Sequence, residues 1–563
     1  MAIRRIMLYA MAILLIAAAV LAGCSNNESG GNGEGGQNTN NEQGNISEQN
    51  NSGEDSGENG IFQLGSEPVE FSFYGNYDWY TMPEWGGDKA TAWIKENMKV
   101  NIEAINSGGN AAQKLNTMIA SNELPDVIWM ERGADVEKLR AAGMLVPYDD
   151  YLEKYPNLKE WLGEEGLNML RSPDGKVYQF PNWYTNQPNG NAGYVVNKKI
   201  YEELGSPKLE TTEDFYNYLT MVKENYPDVV PFDPYLAKEG QGLDVLYSAF
   251  AENHPNIYVG IRGVPNGDQL TSIFTDPVFR ESTQFASRLF REKLMSQDAF
   301  TQTLDQIKEK VNTGRVAVIA SASPTEVGME GHIQLTAQDP DAGYFMIWPI
   351  HKEGLDKNKI FTGTYNKLGW NVSVITKAAE DPEKIFAFLD WYTGPEGQRV
   401  IFWGPEGEYW DSVDEDGAPI FTEKYISDNE GLSKLQGITT NFQWNGNTVY
   451  IDTSKAKYEM TLPEDQRNWA TRWQSEITWK TQADATEFIN LDPMPDSEEG
   501  IIQQTVEDIF LEARAKALYA KSDEEVLEIL DQAEKDAQAA GYDSLLQFKT
   551  AKWQENLKKL NGQ

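Results

Sequence analysis

The apolar patterning of this chain predicts an α/β fold that ends in a helical C-terminal region. Three observations carry that reading. Short runs of strand type, alternating or wholly apolar, recur from Val69 to Ile375. Stretches with apolar residues at helical spacing separate them, the order expected of a parallel or mixed sheet covered on both faces. From Glu498 to Leu560 the spacing is almost wholly helical.

Each element has a local reason. Val69–Tyr74 alternates apolar and polar residues, which is a strand signature. Gly75–Tyr80 reads as an aromatic loop, and Asp88–Met98 as a helix with Ala90, Trp93 and Ile94 on one face. Val100–Ile105 alternates again, Ala111–Ala120 is helical, and Pro125–Met130 is a buried type of strand. Val136–Ala142 returns to helix and stops at Gly143. Ser172–Lys176 is a tight turn. It leads to Pro181 and a Gly/Asn/Pro-rich stretch ending at Gly193, and Tyr194–Asn197 then opens new α/β material. Thr211 with Asp214 three residues on marks a helix start. Gly314–Ala320 and Gly369–Ile375 are further strands, and Asp381-Pro382-Glu383 starts a helix. In the C-terminal region Val506, Ile509, Phe510 and Ala513 share a face, while Glu524, Glu528 and Asp531 mark a solvated one.

Composition narrows the function. The 563 residues include 48 Lys and Arg against 87 Asp and Glu, a net charge of −39. That field repels a polyanion, so nucleic-acid binding is not expected. One cysteine excludes a disulfide framework or a zinc site of several thiolates. His254, His332 and His351 lie far apart in sequence, and no serine sits in a GxSxG elbow.

The N-terminus reads as an address. Arg4 and Arg5 precede an apolar run from Ile6 to Leu21, short for a membrane span. It ends in Leu21-Ala22-Gly23-Cys24, which resembles the lipobox of bacterial lipoproteins. That resemblance implies a signal peptide over 1–23, a lipidated Cys24 and an anchor on the outer face of the cell membrane. Residues 24–66, rich in Asn, Gly and Glu, read as a disordered tether.

Several motifs together resemble family-1 extracellular solute-binding proteins. They are Leu124-Pro125-Asp126-Val127-Ile128, Val196-Asn197-Lys198 with Thr211–Phe215, and Gly314-Arg315-Val316-Ala317. The run Phe388–Trp391, Pro395–Gln398 and Trp403–Gly407 is similar to the long lipoprotein subgroup of Gram-positive sugar importers. The resemblance implies a two-lobed fold of the periplasmic-binding-protein type with crossover hinge segments, and an oligosaccharide carried to an ABC permease. It divides the chain into lobe one, 67–180 plus 371–402, and lobe two, 181–370 plus 403–563. A monomer is expected, with no enzymatic activity.

A sugar presents hydroxyl edges to polar groups and C–H faces to aromatic rings. In open α/β sheets the ligand sits beyond the strand ends, where the loops lie. The candidates on such loops are Tyr77, Asp78, Trp79, Glu131, Trp183, Tyr184, Trp370, Trp403 and Trp444. Trp93, Trp129 and Trp391 lie inside strand or helix patterns and read as core. Asp78 and Glu131 have an alternative as helix caps or solvated carboxylates, and Trp370 and Trp403 as hinge packing. The run Ser412 to Glu423, with Asp414, Asp416 and Glu423, approaches an EF-hand loop. No amphipathic helix precedes it, and Asp416-Gly417 is a common hairpin turn, so no cofactor is expected and calcium there is the minor alternative. Two other functions stay open: a surface glycosidase or polysaccharide lyase, and a binding protein for a non-sugar ligand such as a peptide.

Overall fold

A computed structural model describes residues 61–183, 192–236 and 241–562. Cys24, Tyr184 and the expected signal peptide lie outside the described residues. Two sheets organise the chain. The first has the strand order 100–105, 69–75, 127–131, 371–375, 180–181. Its first three strands are parallel, with Val69 opposite Val100 and Phe73 opposite Val127. Strand Asn371–Ile375 runs antiparallel to both of its neighbours. Successive side chains take opposite faces: Phe73, Val127 and Trp129 enter one apolar cluster, while Tyr74, Ile128 and Met130 enter the other. That period of two is why the runs read as strands buried on both sides.

The second sheet has the order 344–347, 193–197, 316–321, 230–233. Strand Gly193–Asn197 is antiparallel to both neighbours, and the outermost, Val230–Asp233, is parallel to Val316–Ser321. The helix starts at Asp88 and Thr211 are both capped. Asp88 accepts from Ala90 and Thr91 N–H and starts helix Lys89–Asn97. Thr211 and Asp214 form a capping box on helix Thr212–Asn225.

The C-terminal region is three helices, Glu498–Leu518, Asp523–Ala540 and Tyr542–Leu560. Val506, Phe510 and Ala513 are buried, and Glu524, Glu528 and Asp531 are exposed, as the spacing predicts. These helices share a core with the hairpin 263–272 of lobe two. The last one also reaches lobe one, where Lys559 Nζ donates to the Arg171 carbonyl at 3.4 Å.

Two expected boundaries move. Residues 61–66 were assigned to the tether, yet Phe62 packs on the first core and its carbonyl accepts from Tyr155 Oη at 3.3 Å. Residues from 403 onward are expected in lobe two. Trp403, Phe421, Leu435, Trp444 and Ile451 instead complete the core of lobe one. The chain returns to the second sheet only at Trp469, whose Nε1 donates to the Tyr344 carbonyl at 2.8 Å. The cause is apolar area: Trp403 and Trp444 are 0 % exposed, and burial of rings of that size in the core of lobe one is strongly favourable.

Candidate functional site

In the first sheet the carboxyl ends of strands 69–75, 100–105 and 127–131 meet the start of strand 371–375. The loop after the first strand leaves through Gly75, where a Cβ would sit 2.2 Å from the Tyr80 ring. The loop is then pinned. Asn76 N–H donates to the Trp129 carbonyl at 2.8 Å, and Ser107 Oγ donates to the Tyr77 carbonyl at 2.8 Å. This presents an aromatic shelf. Tyr77 lies 5.3 Å from Trp79 and 5.7 Å from Trp370, and Trp79 and Trp370 stack at 6.3 Å with 28° between planes. Trp129, fully buried, supports all three from below. Trp79 is 58 % exposed and Trp370 39 %, unusual for rings of that size.

A hydrogen-bonded chain fixes the shelf. Trp129 Nε1 donates to Asn371 Oδ1 at 2.6 Å, and Asn371 Nδ2 donates to Tyr77 Oη at 2.7 Å. Tyr77 also interacts with the nearby Glu131 carboxylate. Burial and the nearby Glu131 charge push the Tyr77 phenol well above its usual range, so it stays a donor. Glu131 is exposed at its outer surface. The protein mass around its carboxyl raises the pKa, against the pull of Tyr77 and Arg132. Arg132 donates from Nη1 to the Leu368 carbonyl and from Nη2 to the Gly369 carbonyl, both at 2.9 Å. Desolvation lowers it to about 10, so it remains charged at neutral pH.

The crossovers are locked at one amide. Asn182 Oδ1 accepts from the backbone N–H of Trp370 and Asn371 at 3.3 and 3.0 Å, and its Nδ2 donates to the Gln443 carbonyl at 3.1 Å. Gly369, at φ +67°, passes so close that a Cβ would lie 1.5 Å from the Asn182 carbonyl. Arg132 and Asn182 were not among the sequence candidates. Their work is done on backbone carbonyls and amides distant in sequence, which no local motif signals.

The predicted residues therefore divide. Tyr77, Trp79, Glu131 and Trp370 come together on the shelf. Asp78 takes its alternative role, accepting from Ala111 N–H at 2.7 Å at the start of helix Ala111–Ser121. Trp183 has φ 43° and leans edge-on against Phe402 at 5.6 Å, so its ring packs against lobe one at the crossover. Trp403 and Trp444 are corrections. Trp444 stacks on Tyr392 at 5.3 Å and 10° in the core, and Trp403 packs on Phe421 at 5.1 Å. Neither ring reaches a surface.

Lobe two contributes a pocket of about 280 Å³ at its crossover end, lined by Ala192, Asn256, Ser323, Gly363, Thr364 and Gln482. A larger groove, about 870 Å³, lies at the opposite end of that sheet beside Tyr344 and Trp469. It sits away from the crossovers, and its Arg472 and Arg467 are paired with Glu464 and Glu476.

Residues 80–399 match the sequence profile of the bacterial extracellular solute-binding protein family, and the chain belongs to that family. A curated relative is the fructooligosaccharide ABC transporter substrate-binding protein FusA of Streptococcus pneumoniae serotype 4. It is 27% identical over 227 residues, 37% of this chain and 41% of that protein, so the match spans less than half of the relative's length. Solved structures share the two-lobed fold. FusA from S. pneumoniae in complex with kestose has TM-score 0.62 and 18% identity, covering 86% of this chain and 99% of that one. An alginate-binding protein solved without calcium has TM-score 0.63 and 14% identity, covering 87% and 98%. A human-milk-oligosaccharide-binding protein from Bifidobacterium longum infantis has TM-score 0.63 and 14% identity, covering 88% and 99%.

The alginate-binding protein was solved without calcium, and a further FusA structure is that of an EF-hand mutant, so a calcium loop is worth testing here. The residues here do not fit that group. Asp414 and Asp416 close the turn between strands Trp410–Val413 and Pro419–Phe421, and Lys457 Nζ sits 2.6 Å from a carboxylate oxygen of each. Glu423 heads the short helix Lys424–Ser427 instead. Among the described residues no three His, Cys, Asp or Glu side chains gather as a metal site. No described helix is long and apolar enough to cross a membrane.

Proposed function

We propose that this chain is the lipid-anchored substrate-binding component of an ABC importer, and that it captures an oligosaccharide between its lobes for transfer to the permease. The observation that carries the reading is the exposed shelf of Trp79, Trp370 and Tyr77 at the crossover end of lobe one. Large rings held open to solvent by a buried hydrogen-bond chain suit the C–H faces of sugar rings, and Glu131 beside them suits hydroxyls. Closing the second lobe over that shelf would bury both and generate a form distinct from the empty one. The relatives described as binding fructooligosaccharide, human-milk oligosaccharide and N-glycan support a sugar as the solute. The family is one of binding proteins, which release their ligand unchanged.

Thermal melting of the full chain with kestose, other neutral and acidic oligosaccharides and short peptides tests this. A ligand at about 100 times its Kd stabilises the native state by about 2.7 kcal/mol. A rise with a sugar recovered intact supports the reading, and a rise with peptides alone overturns the sugar assignment. For the anchor, Cys24→Ser in cells should move the protein from the membrane fraction to the medium. Palmitate labelling should be lost in the same variant, and labelling equal to that of the wild type would refute lipidation at Cys24.

A further inference from the structure

The pocket of lobe two is lined by two amide side chains with buried, unpaired atoms. Strand Gly363–Tyr365 pairs in parallel with Gln482–Asp484, placing Gly363 opposite Gln482. Gln482 is 5 % exposed, and neither its Oε1 nor its Nε2 has a hydrogen-bond partner. Asn256 Oδ1, across the same pocket, is also buried without one. Native proteins pair nearly all such groups, so unpaired amide atoms on two residues that line one cavity leave a place for a partner from outside the chain. The cradle is shaped for it. A Cβ on Gly363 would lie 2.5 Å from Gln482 Oε1 and equally close to Ala192 Cβ, so only glycine leaves the amide this room.

The charge around the site is as informative. No Lys, Arg, Asp or Glu lines this pocket among the described residues. On lobe one, Arg132 gives its Nη1 and Nη2 to the Leu368 and Gly369 carbonyls and keeps a buried Nε without a partner, while the neighbouring Glu131 is exposed. A carboxylate ligand would lose its water and gain no cation in return. An amide offers one donor group and one acceptor, the pattern that pairs with a sugar hydroxyl.

We propose that Gln482 and Asn256 form a hydroxyl-reading subsite on lobe two, and that the solute is an uncharged oligosaccharide. The proposal rests on the oligosaccharide reading of the cleft. It also assigns a role to a glutamine that stands in no sequence motif.

Titration calorimetry on the full chain tests it, with kestose, maltotriose and N-acetyllactosamine as neutral probes and alginate and galacturonate trisaccharides as acidic ones. The wild type should bind a neutral probe and neither acidic one. Gln482→Met, nearly the same shape, should weaken that binding at least about tenfold, ~1.4 kcal/mol, with the sugar-free melting temperature close to that of the wild type. Where Gln482→Met melts well below the wild type, Asn256→Ala on the less buried side of the pocket carries the same expectation. Unchanged affinity in a folded variant would show a pocket filled by water only and overturn the subsite. Tighter binding of an acidic trisaccharide would overturn the neutral class while leaving the oligosaccharide reading intact. No binding of any saccharide would overturn that reading and the subsite with it.

Discussion

Asn371→Ala probes the link between the fold and the shelf. Asn371 is fully buried and uses both ends of its amide, accepting from Trp129 Nε1 at 2.6 Å and donating to Tyr77 Oη at 2.7 Å. Removing it leaves the indole N–H of a 0 % exposed Trp129 without a partner. An orphaned buried donor costs about 1–3 kcal/mol, and the lost bond to Tyr77 about 1 kcal/mol more. The expected destabilisation is about 2–4 kcal/mol, read as a lower urea midpoint followed by tryptophan fluorescence. Ligand affinity should fall as well, because Tyr77 loses the contact that fixes its ring under Trp79 and Trp370. A double variant separates the causes. Trp129→Phe removes the donor, so Asn371→Ala should cost less in that background than in the wild type. Strict additivity, or a single-variant loss under about 1 kcal/mol, would refute the claim that this chain of bonds holds the shelf.

Other perturbations sort the rings and charges. Trp79→Ala and Trp370→Ala should each weaken sugar binding by about 1–2 kcal/mol, roughly 5–30-fold, with little change in melting, since both rings are substantially exposed; unchanged affinity in both would move the site elsewhere. Trp444→Ala should cost about 3–5 kcal/mol of stability through the cavity beside Tyr392, with normal affinity while the protein is folded. Asp390 should make stability depend on pH. Its carboxylate oxygens accept from the N–H groups of Asn157 and Leu158, yet burial raises its pKa to about 6. The folded value lies above the unfolded one of about 3.9, so the native state holds the proton more tightly between them. Stability should therefore rise as pH falls from about 6 to about 4, by up to about 3 kcal/mol. Asp390→Asn should abolish that part of the slope in urea titrations at several pH values, and an identical slope would exclude Asp390 as its source.

The sequence by itself determined what is local. Alternation in Val69–Tyr74 and the wholly apolar Val127–Met130 specified strands, because a pleated backbone sends successive side chains to opposite faces. The Thr211–Asp214 pair specified a helix start, because it satisfies N–H groups within three residues. Aromatic residues next to strand ends pointed to Tyr77, Trp79 and Trp370, and an acidic one to Glu131. What only the tertiary structure decided is which rings stay open. Trp79 and Trp444 are both loop tryptophans with polar neighbours, yet one is 58 % exposed and the other 0 %. The difference comes from elements remote in sequence: Tyr392, Phe388 and Phe73 close over Trp444, while the described residues leave Trp79 mostly exposed. The same holds for Asn182, Arg132 and Gln482, whose meaning lies in carbonyls, amides or an empty space contributed by other segments. Burial and hydrogen-bond satisfaction are properties of assembled surfaces, and a window of neighbouring residues does not contain the surface that will meet it.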